Sequence, residues 1–158
     1  MTTAKQMGEY VARVPCDPPV HETIAGQHVE LIPAAEEHAE QLYEAAGGLD
    51  KAALFDYMGY GPFSDLQSLQ ERIAIFAKST DPLFWTIRLR STGKLVGWIS
   101  FLRIDPENRV VEIGHVLFSS PLQRTTAATE AWFLLADKAV SLATRCVQRD
   151  RADCRQPA

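Results

Sequence analysis

Cysteine is scarce in this chain. Cys16, Cys146 and Cys154 are its only three in 158 residues. They are odd in number and lack CxxC spacing, which argues against a disulfide framework and for reduced thiols in a cytosol. Long apolar runs are absent too. No stretch approaches the roughly 18 consecutive apolar residues of a membrane span. The opening MTTAKQMGEYVARVPCDPPVHE has no apolar h-region, so no secretory signal is expected. Positive charge is not in excess, with 16 Lys and Arg against 20 Asp and Glu, a formal net charge of −4. The whole molecule therefore offers no attraction to nucleic acid or to an anionic membrane surface. His28 and His38 have no ligand spacing with each other or with an acid, so no metal is assigned.

What is present reads as one domain, since a chain of this length buries one core and is short for two. Residues 1–26, with Pro15, Pro18 and Pro19, form an extended arm. HVELI at 28–32 alternates as a strand. Pro33 then opens a helix in which Ala35, Ala39, Leu42, Tyr43 and Ala46 recur at helical spacing, ending at Gly47-Gly48. The aromatic stretch 54–63 (LFDYMGYGPF) has no period and reads as a loop or a broken helix. Ser64 and Gln67 form a capping-box pattern ahead of a second helix carrying Leu66, Leu69, Ile73 and Phe76, to about Lys78. Strands follow at 84–90, 94–104 and 109–118, joined by the short turns STG and DPEN, which makes an antiparallel meander. A last helix at 126–143 turns Ala128, Ala131, Trp132, Leu135 and Ala139 inward. The order predicts an α+β fold, a mostly antiparallel mixed sheet flanked by helices.

Chemistry concentrates where the third meander strand turns into the last helix, VVEIGHVLFSSPLQRTTAATEAWF. A helix start leaves its first N–H groups unpaired, with the positive end of the dipole behind them, which suits a pyrophosphate. The small residues Thr125, Thr126, Ala127 and Ala128 let phosphate oxygens approach. The same residues equally serve plain capping by Thr125. Glu112 is an acid in the middle of an apolar strand, so it is functional, exposed, or paired with Arg103 or Arg109. His115 falls on the opposite face by alternation and is a second candidate base or a packed core histidine. Tyr57, Tyr60 and Phe63 are candidate walls of an acceptor pocket, or a core plug.

The segments TGKLVGWISFLRIDPENRVVEIGHVLFSSPLQRTTAATEAWFLL, HVELIPAAEEHAEQL and YGPFSDLQSL resemble the RimJ/RimL-like branch of the GNAT superfamily of N-acetyltransferases, over about residues 18–140. The resemblance implies a GNAT-like fold and acetyl-CoA as cosubstrate. It also implies transfer of acetyl to a primary amine, of a protein N-terminus or a small molecule, in the cytoplasm. In the pattern Q/R-x-x-G-x-G/A, Gln123 and Ala128 match and Thr126 replaces a glycine. The resemblance places the pyrophosphate on the N–H groups of Arg124, Thr125, Thr126, Ala127 and Ala128. It lays the pantetheine along Val116, Leu117 and Phe118, with an N–H near Leu117 on the thioester carbonyl. Glu112, with His115 second, takes the proton from the amine.

Family members continue past this helix with further strands and a helix, whereas residues 141–158 (SLATRCVQRDRADCRQPA) show neither alternation nor a useful helical period. The expected organisation is an arm at 1–26, an incomplete GNAT-like domain at 27–140 lacking its C-terminal strands, and an atypical tail. An uncovered outer strand predicts aggregation or homo-oligomers and impaired turnover. Two alternatives to an active enzyme follow: a truncated pseudoenzyme with weak CoA binding, and a small α+β module binding a partner through the 57–63 loop.

Overall fold

The computed structural model describes residues 15–153, and side chains as far as residue 142. Five strands form one sheet in sequence order, each antiparallel to its neighbour: β1 (Ile24–Ala25), β2 (Val29–Pro33), β3 (Leu83–Leu89), β4 (Leu95–Asp105) and β5 (Val110–Phe118). The helices α1 (Ala39–Ala46) and α2 (Leu66–Lys78) lie between β2 and β3 in sequence, and α3 (Thr126–Asp153) follows β5. The predicted α+β sandwich is thus present, with the meander extended by β2 and β1.

The sheet separates two cores. Leu83, Trp85 and Ile87 of β3 join Val29, Leu31, Ile99 and Phe101 beneath Leu122, Ala131 and Leu135 of the α3 segment. Phe84 points the other way, into Leu42, Leu69, Ile73 and Phe76 from α1 and α2, together with Trp98 and Leu117. Burial follows helical spacing: Leu69, Ile73 and Phe76 in α2, and Ala127, Ala131 and Leu135 in α3, are each 8% exposed or less. Among the buried polar side chains, Thr86 donates to the Ile32 carbonyl at 3.2 Å and Ser119 to that of Val96 at 2.6 Å.

Several expectations need correction. Pro33 is the last residue of β2 rather than a helix opener, and a 3-10 turn at Glu36–His38 precedes α1. The α2 cap is Asp65, whose carboxylate accepts from Ser68 N–H at 2.8 Å, so the capping residue is one later than the Ser64 pattern suggests. The 54–63 stretch, read as a loop or a broken helix, is both: Leu54 and Phe55 end a 3-10 segment, Leu49–Phe55, and the rest is turn and loop. Trp132 is 42% exposed, beyond the inner arc that Ala128, Ala131 and Leu135 fill. Backbone helix continues to Asp153, through residues that show no amphipathic period. The arm carries β1, and its Cys16 is disulfide-bonded, contrary to the expected free thiol.

Lys138 of α3 pairs with Glu22 of the arm at 2.7 Å, and a second side chain ties the β1–β2 turn to α3. Glu130 of α3 accepts from the backbone N–H groups of Gln27, His28 and Val29 at 2.7, 2.6 and 2.9 Å. Partial burial pushes its carboxyl up, and the three donors outweigh that, so it titrates below the ordinary glutamate range. Such a group adds stability above its unfolded-state pKa, and that stability is lost as pH falls through the depressed value. Glu130→Ala should therefore cost about 1 kcal/mol at neutral pH, chiefly through the buried Val29, because water can replace the carboxylate at exposed Gln27 and His28. Urea unfolding checks this, and the gap between the two proteins should narrow in acid.

Candidate active site

The site grows from two irregularities in the β4–β5 pair. Trp98 stands opposite Leu117, but Ser100 stands opposite Gly114, so His115 and Val116 together face Ile99. This is a β-bulge, with His115 in the left-handed region at φ 46°. The Ser100 hydroxyl, fully buried, donates to the Gly114 carbonyl at 3.0 Å and fixes the start of the bulge. A second shift lies between Leu102 and Asp105, where Arg103 has φ 52°. Gly97 supports the arrangement from the partner strand, because a Cβ there would collide with the Leu117 carbonyl oxygen.

The bulge reverses one expectation. Simple alternation puts His115 across the sheet from Glu112, whereas the extra residue turns it toward α2. There it stacks on Tyr60, with ring centroids 5.6 Å apart, and lies 5.4 Å from Phe84. Val116 and Phe118 resume the α3 face, and Leu117 is 1% exposed in the α1–α2 core. Burial lowers the His115 pKa, and the negative charge of Glu112 opposes that shift. Glu112 is half exposed and accepts from Arg103 Nη1 at 2.8 Å, one of the pairings foreseen for it. The two candidate bases thus act on each other electrostatically across one face.

The three aromatic candidates separate. Tyr60 touches the site: its hydroxyl accepts from Trp98 Nε1 at 3.1 Å, and Arg72 lies over its ring 5.1 Å from the centroid. Burial raises its phenol to about 12, so it stays protonated near neutrality. Phe63 is 7% exposed and packs edge-on to Phe55 as core. Tyr57 is fully exposed and walls nothing. Arg72 and Ser100 had no signal in the sequence, since only the folded chain brings Arg72 over Tyr60 and Ser100 to the Gly114 carbonyl.

Beyond the bulge, Ser119 N–H donates to Val96 O at 3.0 Å, which sets the phase of the ladder. In an antiparallel pair, alternate residues direct their backbone groups outward. Leu117 then faces β4, and Phe118 presents its N–H and C=O to the open edge. Gln123 Nε2 donates to that Phe118 carbonyl at 2.9 Å. The loop returns through Leu122 and Gln123 N–H on Ser119 O, and Arg124 turns the chain at φ 59°. Thr125 caps α3, accepting from Ala128 N–H at 3.2 Å, so Ala128 has no free donor. Among the described residues, the N–H groups of Arg124, Thr125, Thr126 and Ala127 have no partner. They converge at the positive end of a long helix, beside an open cavity of about 570 Å³ lined by His28, Arg90, Pro121 and Thr125. An outward-facing strand edge leading to unpaired helix-start donors fits a long ligand with a pyrophosphate and an amide-bearing arm. The Cβ of exposed Thr126 narrows the approach without removing a donor. No group of His, Cys, Asp and Glu among the described residues could hold a metal ion.

An antiparallel sheet, bulged at its outer strand, is thus closed by a helix whose N-terminus meets that strand's end. The family model described as acetyltransferase (GNAT) domain matches residues 28–153, and the chain belongs to that family. It is similar to a GCN5-related N-acetyltransferase from Brucella melitensis, at 29% identity and a TM-score of 0.78, covering 81% of this chain and 58% of that one. A probable GNAT-family acetyltransferase from Chromobacterium violaceum is 24% identical with a TM-score of 0.76, covering 90% and 71%. The microcin C7 self-immunity acetyltransferase MccE, solved with acetyl-CoA and AMP, aligns at 18% identity and a TM-score of 0.56, covering 72% and 63%. No curated protein matches. The chain spans less than two thirds of the length of the Brucella structure.

Binding at the helix start can be separated from folding. Thr126→Glu adds negative charge where the helix dipole favours it, so thermal stability should hold or rise slightly. The same charge opposes a pyrophosphate, and calorimetric titration should show acetyl-CoA affinity falling roughly tenfold or more, in line with a charge-assisted contact replaced by repulsion.

Proposed function

We propose that this chain is an N-acetyltransferase of the RimJ/RimL-like kind that moves acetyl from acetyl-CoA to a primary amine. The observation that supports this most is the bulge. It puts His115 beside Glu112 on one side of β5 and leaves the strand's outer edge leading to the Arg124–Ala127 donors. Acetyl-CoA supplies an acetyl group activated as a thioester. The chain's own residues do the rest. Arg124 to Ala127 hold the pyrophosphate, the β5 edge at Val116 to Phe118 aligns the amide-bearing arm, and the outward Phe118 N–H is the donor suited to a developing oxyanion. The Gln123 side chain withdraws from the Phe118 carbonyl to open that edge.

An acceptor amine is mostly protonated near pH 7 and must lose a proton before it attacks. His115, neutral because burial lowers its pKa, takes that proton, and Glu112 stabilises the imidazolium formed. A cytoplasmic setting is part of this reading by virtue of the acetyl donor, although the Cys16 disulfide counts against it. A second reading, a catalytically impaired CoA-binding relative, is favoured by the outer edge of β5, which has no partner strand among the described residues.

Steady-state CoA release with an amine panel tests the assignment. His115→Ala should lower kcat by roughly 10²–10⁴, the usual share of a general base, with acetyl-CoA affinity unchanged. The pH profile gives a finer check. Glu112 raises the His115 pKa, so Glu112→Gln should move the acid limb of kcat/KM to lower pH. An unmoved limb would remove His115 from the role of base.

A further inference from the structure

Beside the Tyr60–His115 stack lies a cation, Arg72. Arg88 and Arg90 pair with Glu30, and Arg103 pairs with Glu112. Arg72 of α2 pairs with no carboxylate among the described residues, and its guanidinium rests over the Tyr60 ring instead. The opposite requirement is not met by Tyr60, whose phenol stays neutral because burial raises it to about 12. His115 is stacked on the same ring, so guanidinium and imidazole each lie within 6 Å of the Tyr60 centroid. Glu112 is already engaged by Arg103.

We infer that Arg72 selects the acceptor, receiving a carboxylate or phosphate that the amine substrate carries a few bonds from its nitrogen. The inference rests on the proposed acetyl transfer at His115 and narrows its acceptor to a small anionic amine. A guanidinium offers a planar fork of donors that matches carboxylate and phosphate oxygens. Laid over an aromatic face it is already partly immobilised, so less side-chain freedom is lost when the anion arrives. The partial exposure of Arg72 leaves its donors reachable, and it shares the Tyr60 ring with His115. A neutral amine would reach His115 with no such anchor.

The test uses the 158-residue chain with saturating acetyl-CoA and two matched pairs of acceptors, phosphoethanolamine against ethanolamine and β-alanine against propylamine. The wild type should favour at least one anionic member by roughly tenfold or more in kcat/KM, the scale of a hydrogen bond to a charged group. Arg72→Gln should erase that preference through KM while leaving the neutral amines unchanged, and Arg72→Lys should restore part of it. Which pair responds distinguishes carboxylate from phosphate. Equal use of charged and neutral amines, or an equal loss for both in Arg72→Gln, overturns the role of Arg72 and leaves acetyl transfer standing. Turnover of no amine, together with no heat on acetyl-CoA titration, is instead the failure of the underlying reading. Ligand-detected NMR gives a readout free of turnover: anionic amines should broaden with wild type and not with Arg72→Gln, and identical spectra overturn the inference.

Discussion

The insertion of one residue into β5 opposite Ile99 is the constraint on which the rest of the site depends. Without it, strict alternation would carry His115 to the α3 face, away from Glu112, Tyr60 and Arg72. With it, the strand keeps Val116 and Phe118 on the α3 core and Leu117 on the other, so both faces of the sheet remain packed. A bulge also loosens the ladder locally and weakens the strand as a template for pairing with another sheet. The same local distortion therefore turns His115 toward Tyr60 and guards an exposed edge. Its cost, a histidine at φ 46°, is held by Ser100 on the Gly114 carbonyl and by Gly97 on the neighbouring strand.

Electrostatics divide along β5. At its start Glu112 pairs with Arg103 and acts electrostatically on His115. At its end the donors of Arg124 to Ala127 and the α3 dipole favour an anion. A ligand with an anionic head and a reactive end spans the two, and the strand edge between them sets the distance. Stability comes from elsewhere, chiefly from the two apolar cores and from Glu130 stitching the β1–β2 turn to α3. Substitutions at the site can therefore alter chemistry with modest effects on folding.

Most of the fold was legible because its signals are local. Leu69, Ile73 and Phe76 announce α2 by their spacing, and the STG and DPEN turns announce the meander. The family was legible from the run through β4, β5 and the start of α3, and the matched residues 28–153 agree with it. What the sequence hid was non-local or depended on count. Alternation has no means of marking a bulge, so His115 was assigned to the wrong face. Trp132 fits an apolar period yet lies outside the arc that the sheet covers. Asp65 rather than Ser64 caps α2, because both are N-cap residue types and their adjacency leaves the choice to the fold. Helix at 143–153 carries no amphipathic signal, and the Cys16 disulfide has no spacing motif to announce it. Of the aromatic trio, only Tyr60 reaches the base, since the turns around Gly61 send Phe63 inward and leave Tyr57 outside.

The central claim is that the bulged strand and the start of α3 form one ligand track ending at His115. A structure of the chain with acetyl-CoA or a non-hydrolysable analogue tests it most directly. The account predicts the pyrophosphate on the N–H groups of Arg124 to Ala127, the pantetheine along the outer edge of β5 with Gln123 displaced from Phe118, and the acyl carbon on the His115 side of the bulge. A ligand bound elsewhere, or one whose acyl end lies across the sheet from His115, would contradict it.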